Sequence, residues 1–131
     1  MDCALKVLIV EDNADLGFML AEYLGEAGFA AGSVTSAEDA LERLAADPVD
    51  VLMTDVSLPG MSGIALATAV AQRWPHTGLV ISSGYGSALD LEYFPPQLAP
   101  LVRLVPKPCD LAQLPQVLRE AAAGVRARAG A

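Results

Sequence analysis

The feature that most narrows the fold is a rhythm. Four short apolar runs, each closed by a polar residue or a turn, alternate with longer stretches of helical spacing. The runs are Lys6 to Val10, Val49 to Met53, Gly78 to Ile81 and Leu101 to Val105. Strands and helices in strict alternation build a parallel sheet with both faces covered, because each crossover lays a helix on the sheet. A weaker run, Phe29 to Val34, reads as an edge strand, since Ala30, Ala31 and Gly32 dilute its β propensity. A chain of 131 residues is long enough for one ordinary core. A single domain is expected over residues 1–131, with its core at about 5–123 and a frayed tail at 124–131.

The helices carry their own punctuation. Asn13 can cap the first, whose residues Leu16, Met19, Leu20, Tyr23 and Leu24 share one face before Gly28 stops it. The opposite face, Ala14, Phe18, Ala21 and Gly25, is small and apolar. Ser36 caps a second helix that turns Ala40, Leu41 and Leu44 inward and ends at Asp47-Pro48. A third runs from about Ile64 to Arg73, ahead of Pro75. Between Gly84 and Pro100, the prolines Pro95, Pro96 and Pro100 leave room for a short or irregular fourth helix near Leu89 to Phe94. The last helix follows Asp110 with Leu114, Val117, Leu118 and Ala121 as its stripe, and Pro115 should tighten or delay its first turn.

Composition removes several function classes. Sixteen acidic against eight basic side chains give a net charge of −8, which repels phosphate backbones and disfavours direct binding of nucleic acid. No apolar stretch approaches the roughly 18 residues that span a bilayer, and the start of the chain lacks the pattern of a secretory signal, so a cytoplasmic protein is expected. Cys3 and Cys109 have neither metal-ligand nor framework spacing. His76, between Pro75 and Thr77, reads as a solvated loop residue.

In an open parallel sheet, ligands bind outside the carboxyl ends of the strands. The residues there are Glu11-Asp12 after the first run, Asp55 after the central one, Ser83 after the next, and Lys107-Pro108 after the last. Each alone has an ordinary explanation: a helix start, a turn residue, a cap or a surface charge. Together they bring three carboxylates, a hydroxyl and an ammonium to one edge, where the carboxylates repel one another unless a hard cation intervenes. Mg2+ fits, being held commonly by one or two carboxylates plus a phosphate.

The strings Val7-Leu8-Ile9-Val10-Glu11-Asp12-Asn13 and Thr54-Asp55-Val56-Ser57-Leu58-Pro59-Gly60-Met61-Ser62-Gly63, with Lys107-Pro108, resemble the receiver domain of bacterial two-component response regulators over residues 5–123. The resemblance implies a flavodoxin-like, doubly wound five-stranded parallel sheet of order 2-1-3-4-5. It implies Asp55 as phosphoacceptor, and Asp12, Glu11, Asp55 and the Ser57 backbone carbonyl around Mg2+. Ser83 and Lys107 would bond the phosphoryl oxygens. The implied donor is a sensor histidine kinase or histidine phosphotransfer protein, and the output is protein contact rather than catalysis. Leu104 stands where the family usually has an aromatic residue, and Pro95-Pro96 interrupt the usual fourth helix. The alternatives are a receiver cut from a hybrid histidine kinase, a pseudo-receiver that binds without phosphorylation, and a Mg2+-dependent phosphatase. The last usually carries an acid two residues beyond its nucleophile, where this chain has Ser57.

Overall fold

The structure is a computed structural model that describes residues 5–55, 60–83, 102–106 and 111–130, with backbone alone for Ser83, Leu104, Pro106 and residues 124–130. The elements are β1 (Lys6–Val10), α1 (Ala14–Glu26), β2 (Ala30–Val34), α2 (Ala37–Ala46), β3 (Val51–Asp55), α3 (Gly63–Arg73), β4 (Gly78–Ser83), β5 (Val102–Pro106) and α4 (Leu114–Gly130). The five strands are parallel in the order β2-β1-β3-β4-β5, the expected doubly wound, flavodoxin-like arrangement with β2 at an edge. The irregular helix expected near Leu89 to Phe94 lies outside the described residues.

The apolar runs look continuous because they are shared between two cores. Successive strand residues point to opposite faces. Val7, Ile9, Val51, Met53 and Val80 therefore meet Leu20 and Leu24 of α1 and Leu114 and Leu118 of α4. Leu8, Val10, Leu52, Leu79 and Ile81 meet Ala40 and Leu44 of α2 and Leu66 and Val70 of α3. Full burial of each Val, Leu, Ile or Met side chain among these contributes about 1.5–3 kcal/mol, so a one-residue slip of a central strand would exchange the two sets and lose packing on both faces.

Side-chain oxygens cap the first three helices: Asn13 accepts from Leu16 N, Ser36 from Asp39 N and Ser62 from Ala65 N. Gly28, with φ of 103°, ends α1 in a left-handed turn that lets Phe29 N reach the Leu24 carbonyl and Gly28 N the Gly25 carbonyl. Pro115 sits in the first turn of α4, where its missing N–H leaves no carbonyl unpaired, and a turn over residues 111–113 precedes the helix. Two expectations need correction. Met19 is 47% exposed rather than packed inward, because the apolar face of α1 centres on Leu20 and Leu24. The stretch expected to fray continues as helix through Gly130, in keeping with the strong helix propensity of its Ala and Arg residues.

At Gly78 the backbones of β4 and α4 nearly touch: a Cβ built there would lie 2.8 Å from the Ala121 carbonyl oxygen. The obstacle is backbone and cannot rotate away. Gly78→Ala should therefore destabilise the fold by about 1–3 kcal/mol, the usual cost of overpacking. A urea melt with an unchanged midpoint would contradict this reading.

Candidate functional site

The carboxyl ends of β1 and β3 lie side by side, with Val10 paired to Thr54 in the ladder. The residues immediately beyond that pair, Glu11 and Asp55, are therefore neighbours. Glu11 stays in register because its N–H donates to the Val34 carbonyl at 3.0 Å. Its carboxylate Oε2 accepts from Asn13 N at 3.2 Å, tying it to the turn that opens α1 and presents Asp12. Gly17 lets α1 approach: a Cβ there would lie 3.3 Å from Ser33 Cβ and 3.5 Å from Glu11 Cβ.

Glu11, Asp12 and Asp55 each offer a carboxylate oxygen, all within 4.8 Å of one another, with Glu11 and Asp55 buried and Asp12 exposed. At an effective dielectric constant of about 20, two full negative charges this close repel by about 3 kcal/mol or more, several times thermal energy. A proton or a cation must relieve that. Without a cation the proton settles on Glu11, whose pKa is pushed up to about 7. Burial is the main cause, followed by hydrogen bonds to Asp12 and Asp55 that favour the protonated form and by the Asp55 charge, and the Asn13 N–H opposes them. Three carboxylate oxygens converging at this spacing, two of them shielded from water, suit a small hard cation such as Mg2+.

Beside the carboxylates is a cavity of about 520 Å3, lined by Leu16, Met19, Leu20, Met53 and Leu111, with Glu11, Asp55 and Ser82 also on its wall. Ser82 pairs with Asp55 in the ladder, and Ser83 follows as the last residue of β4. Glu11, Asp12 and Asp55 thus come together as expected. Ser83 is placed by its backbone at the same edge, while Ser57 and Lys107 lie outside the described residues. His76 is exposed in the turn before β4, at the other end of the sheet. Sequence reasoning missed Gly17, although a glycine inside an otherwise helical pattern is itself a sign of close packing.

Residues 7–119 match the family model of the response regulator receiver domain, and the chain belongs to that family. It is 33% identical over 86 residues to the C4-dicarboxylate transport transcriptional regulatory protein DctD of Rhizobium meliloti, a match covering 66% of this chain and 19% of that protein. It is 37% identical over 82 residues to the response regulator protein PilR of Pseudomonas aeruginosa, covering 63% of this chain and 18% of the relative. The match thus spans about a fifth of the length of these curated relatives. Among solved structures, a sensor protein from Polaromonas sp. JS666 is 28% identical with a TM-score of 0.82, covering 92% of this chain and 98% of the other. A CheY-like receiver domain from Methylobacillus flagellatus is likewise 28% identical, with a TM-score of 0.76 and coverage of 91% and 99%. The protein is thus a receiver domain of two-component signalling, with an acidic cluster of the composition that binds Mg2+.

Proposed function

We propose that Asp55 is a phosphoacceptor, that it takes its phosphoryl group from a histidine kinase or histidine phosphotransfer protein, and that residues 1–131 work as one domain through protein contacts. The observation that carries this reading is the convergence of Glu11 and Asp12 on Asp55 within 4.8 Å at the carboxyl edge of the sheet. An Asp55 oxygen forms the new bond to phosphorus as the bond from phosphorus to the donor nitrogen breaks, and the imidazole leaves with that electron pair. Glu11, Asp12, Asp55 and the Ser57 carbonyl would hold Mg2+, which when bound screens the negative charges of nucleophile and phosphoryl group. Lys107 pairs with a phosphoryl oxygen and Ser83 donates a hydrogen bond to another. The acyl phosphate carries about −2 charge where the carboxylate carried −1, and that change is the signal.

Among the described residues no helix is long and apolar enough to cross a membrane, which suits a cytoplasmic site of action. DctD is a transcriptional regulatory protein as a whole, but the net charge of −8 here favours a protein target over nucleic acid. The likeness to a sensor protein supports a second reading, in which this receiver is a piece of a hybrid histidine kinase. Incubation with acetyl phosphate, with and without Mg2+, followed by intact-mass measurement tests the central claim. One added phosphoryl group that depends on Mg2+ is expected, and no addition under either condition refutes it.

Phe18 is 62% exposed on α1, next to the exposed Met19, one turn beyond the carboxylate-bearing turn. Ala21, expected on the same outer stripe, instead packs against the core. A protein donor that docks on this apolar pair should be lost with Phe18→Asp, which should slow transfer from the protein donor by about tenfold or more, the range of an interface hot spot. Transfer from acetyl phosphate should be unchanged. Equal slowing with both donors would place the damage in the site itself.

A further inference from the structure

Among the described residues, two polar ties join α1 to the chain entering and forming α4. The Tyr23 hydroxyl donates to the Leu111 carbonyl at 2.8 Å, across 88 positions of sequence. The Arg119 guanidinium donates to the Ala27 carbonyl at 3.2 Å and lies over the Phe29 ring, 4.9 Å from its centroid. The Arg119 tie is at the end of α1 remote from the carboxylates. The Tyr23 tie also leaves the last turn of α1, but it ends on Leu111. Tyr23 lies one helical turn from Met19 and two from Leu16, and Leu16, Met19 and Leu111 line the cavity that also holds Glu11 and Asp55.

Leu111 is not part of a helix; it opens the turn that precedes α4. Its carbonyl accepts a 3.3 Å bond from Leu114 N as well as the bond from Tyr23, so the position of this wall is fixed from the turn and from α1 at once. Filling the core does not explain the hydroxyl, because the half-buried Tyr23 ring packs against the α1–α4 core and a phenylalanine would occupy that space equally well. What the hydroxyl adds is a fixed location for Leu111.

We propose that Tyr23 is a positioning residue for the Asp55 site: through its bond to the Leu111 carbonyl it holds the apolar wall that limits water's access to a phosphoryl group on Asp55. The proposal rests on the reading of Asp55 as phosphoacceptor. Loss of the phosphoryl group is hydrolysis, in which a water oxygen bonds to phosphorus opposite the Asp55 oxygen. The bond from phosphorus to that oxygen breaks, the carboxylate leaves with the electron pair, and a water proton passes to solvent. A wall that stays in place keeps the attacking water out, and a wall that opens admits it.

The test uses the full chain, loaded with acetyl phosphate and Mg2+, freed of donor, and followed by intact mass as the phosphoryl group decays. Tyr23→Phe should take up the phosphoryl group at the same initial rate and, once freed of donor, lose it about two- to tenfold faster, the range spanned by one net hydrogen bond. Amide exchange over residues 111–113 should rise in the same variant before any loading. Arg119→Met removes the tie outside the cavity and should lower the melting temperature without changing the decay. An unchanged decay or unchanged exchange in Tyr23→Phe overturns the proposal. So does decay that accelerates in both variants in step with lost stability, since the tie would then serve the fold alone. Wild-type chain that takes up no phosphoryl group overturns the phosphoacceptor reading, and this proposal with it.

Discussion

Asp55→Asn should abolish stable phosphorylation while leaving the melting temperature within a few degrees of the parent protein or above it. The amide keeps the shape of the carboxylate but has no anionic oxygen to form the acyl phosphate. Asp55 is 6% exposed and lies against Glu11 and Asp12, so removing its charge also relieves repulsion between carboxylates. That is why stability is not expected to suffer. Intact mass after incubation with acetyl phosphate and Mg2+ reads the outcome, and incorporation equal to the parent's would move the nucleophile elsewhere.

The second large effect concerns the cation. Asp12→Ala should weaken Mg2+ binding by about tenfold or more, since a carboxylate facing a dication is removed from a three-carboxylate cluster. An amide NMR titration giving the same affinity as the parent would exclude Asp12 as a ligand. In the parent protein, binding should also depend on pH with a definite sign. The Glu11 pKa is raised from 4.5 to about 7 in the folded, metal-free chain. Its contribution to stability is therefore fully present below pH 4.5 and is lost as pH rises through about 7. A cation reverses that dependence by displacing the Glu11 proton, so affinity should fall as pH drops below about 7. The rise in melting temperature on adding Mg2+ should accordingly be larger at pH 8 than at pH 5.5. Equal rises at both would mean that Glu11 does not titrate against the metal.

Most of the architecture is written in short-range pattern. The apolar runs become strands because a central parallel strand is buried on both sides, and Asn13 and Ser36 cap helices because their side chains reach the N–H groups three residues on. The acidic cluster is legible for a related reason: strand ends in a parallel sheet share one edge, so the residues after each run must meet there. Long-range contacts leave no such trace. Nothing in the spacing of Tyr23 and Leu111 announces a hydrogen bond, and the near-contact of Gly78 with Ala121 depends on how closely α4 settles on the sheet. Met19 departs from the pattern because helical periodicity marks a face but not its width, and this residue lies on the rim of that face.

The near-contact at Gly78 bears on how α4 can move. Gly78 is the first residue of β4, at the end of the sheet opposite Asp55, and there the backbone of the helix rests on the backbone of the strand with no side chain between them. Packed side chains can exchange rotamers and let a helix slide; two backbones in contact cannot. Sliding of α4 along β4 is therefore resisted at Ala121, near the middle of the helix, and a change at the Asp55 site reaches α4 more readily as a tilt about that residue than as a translation.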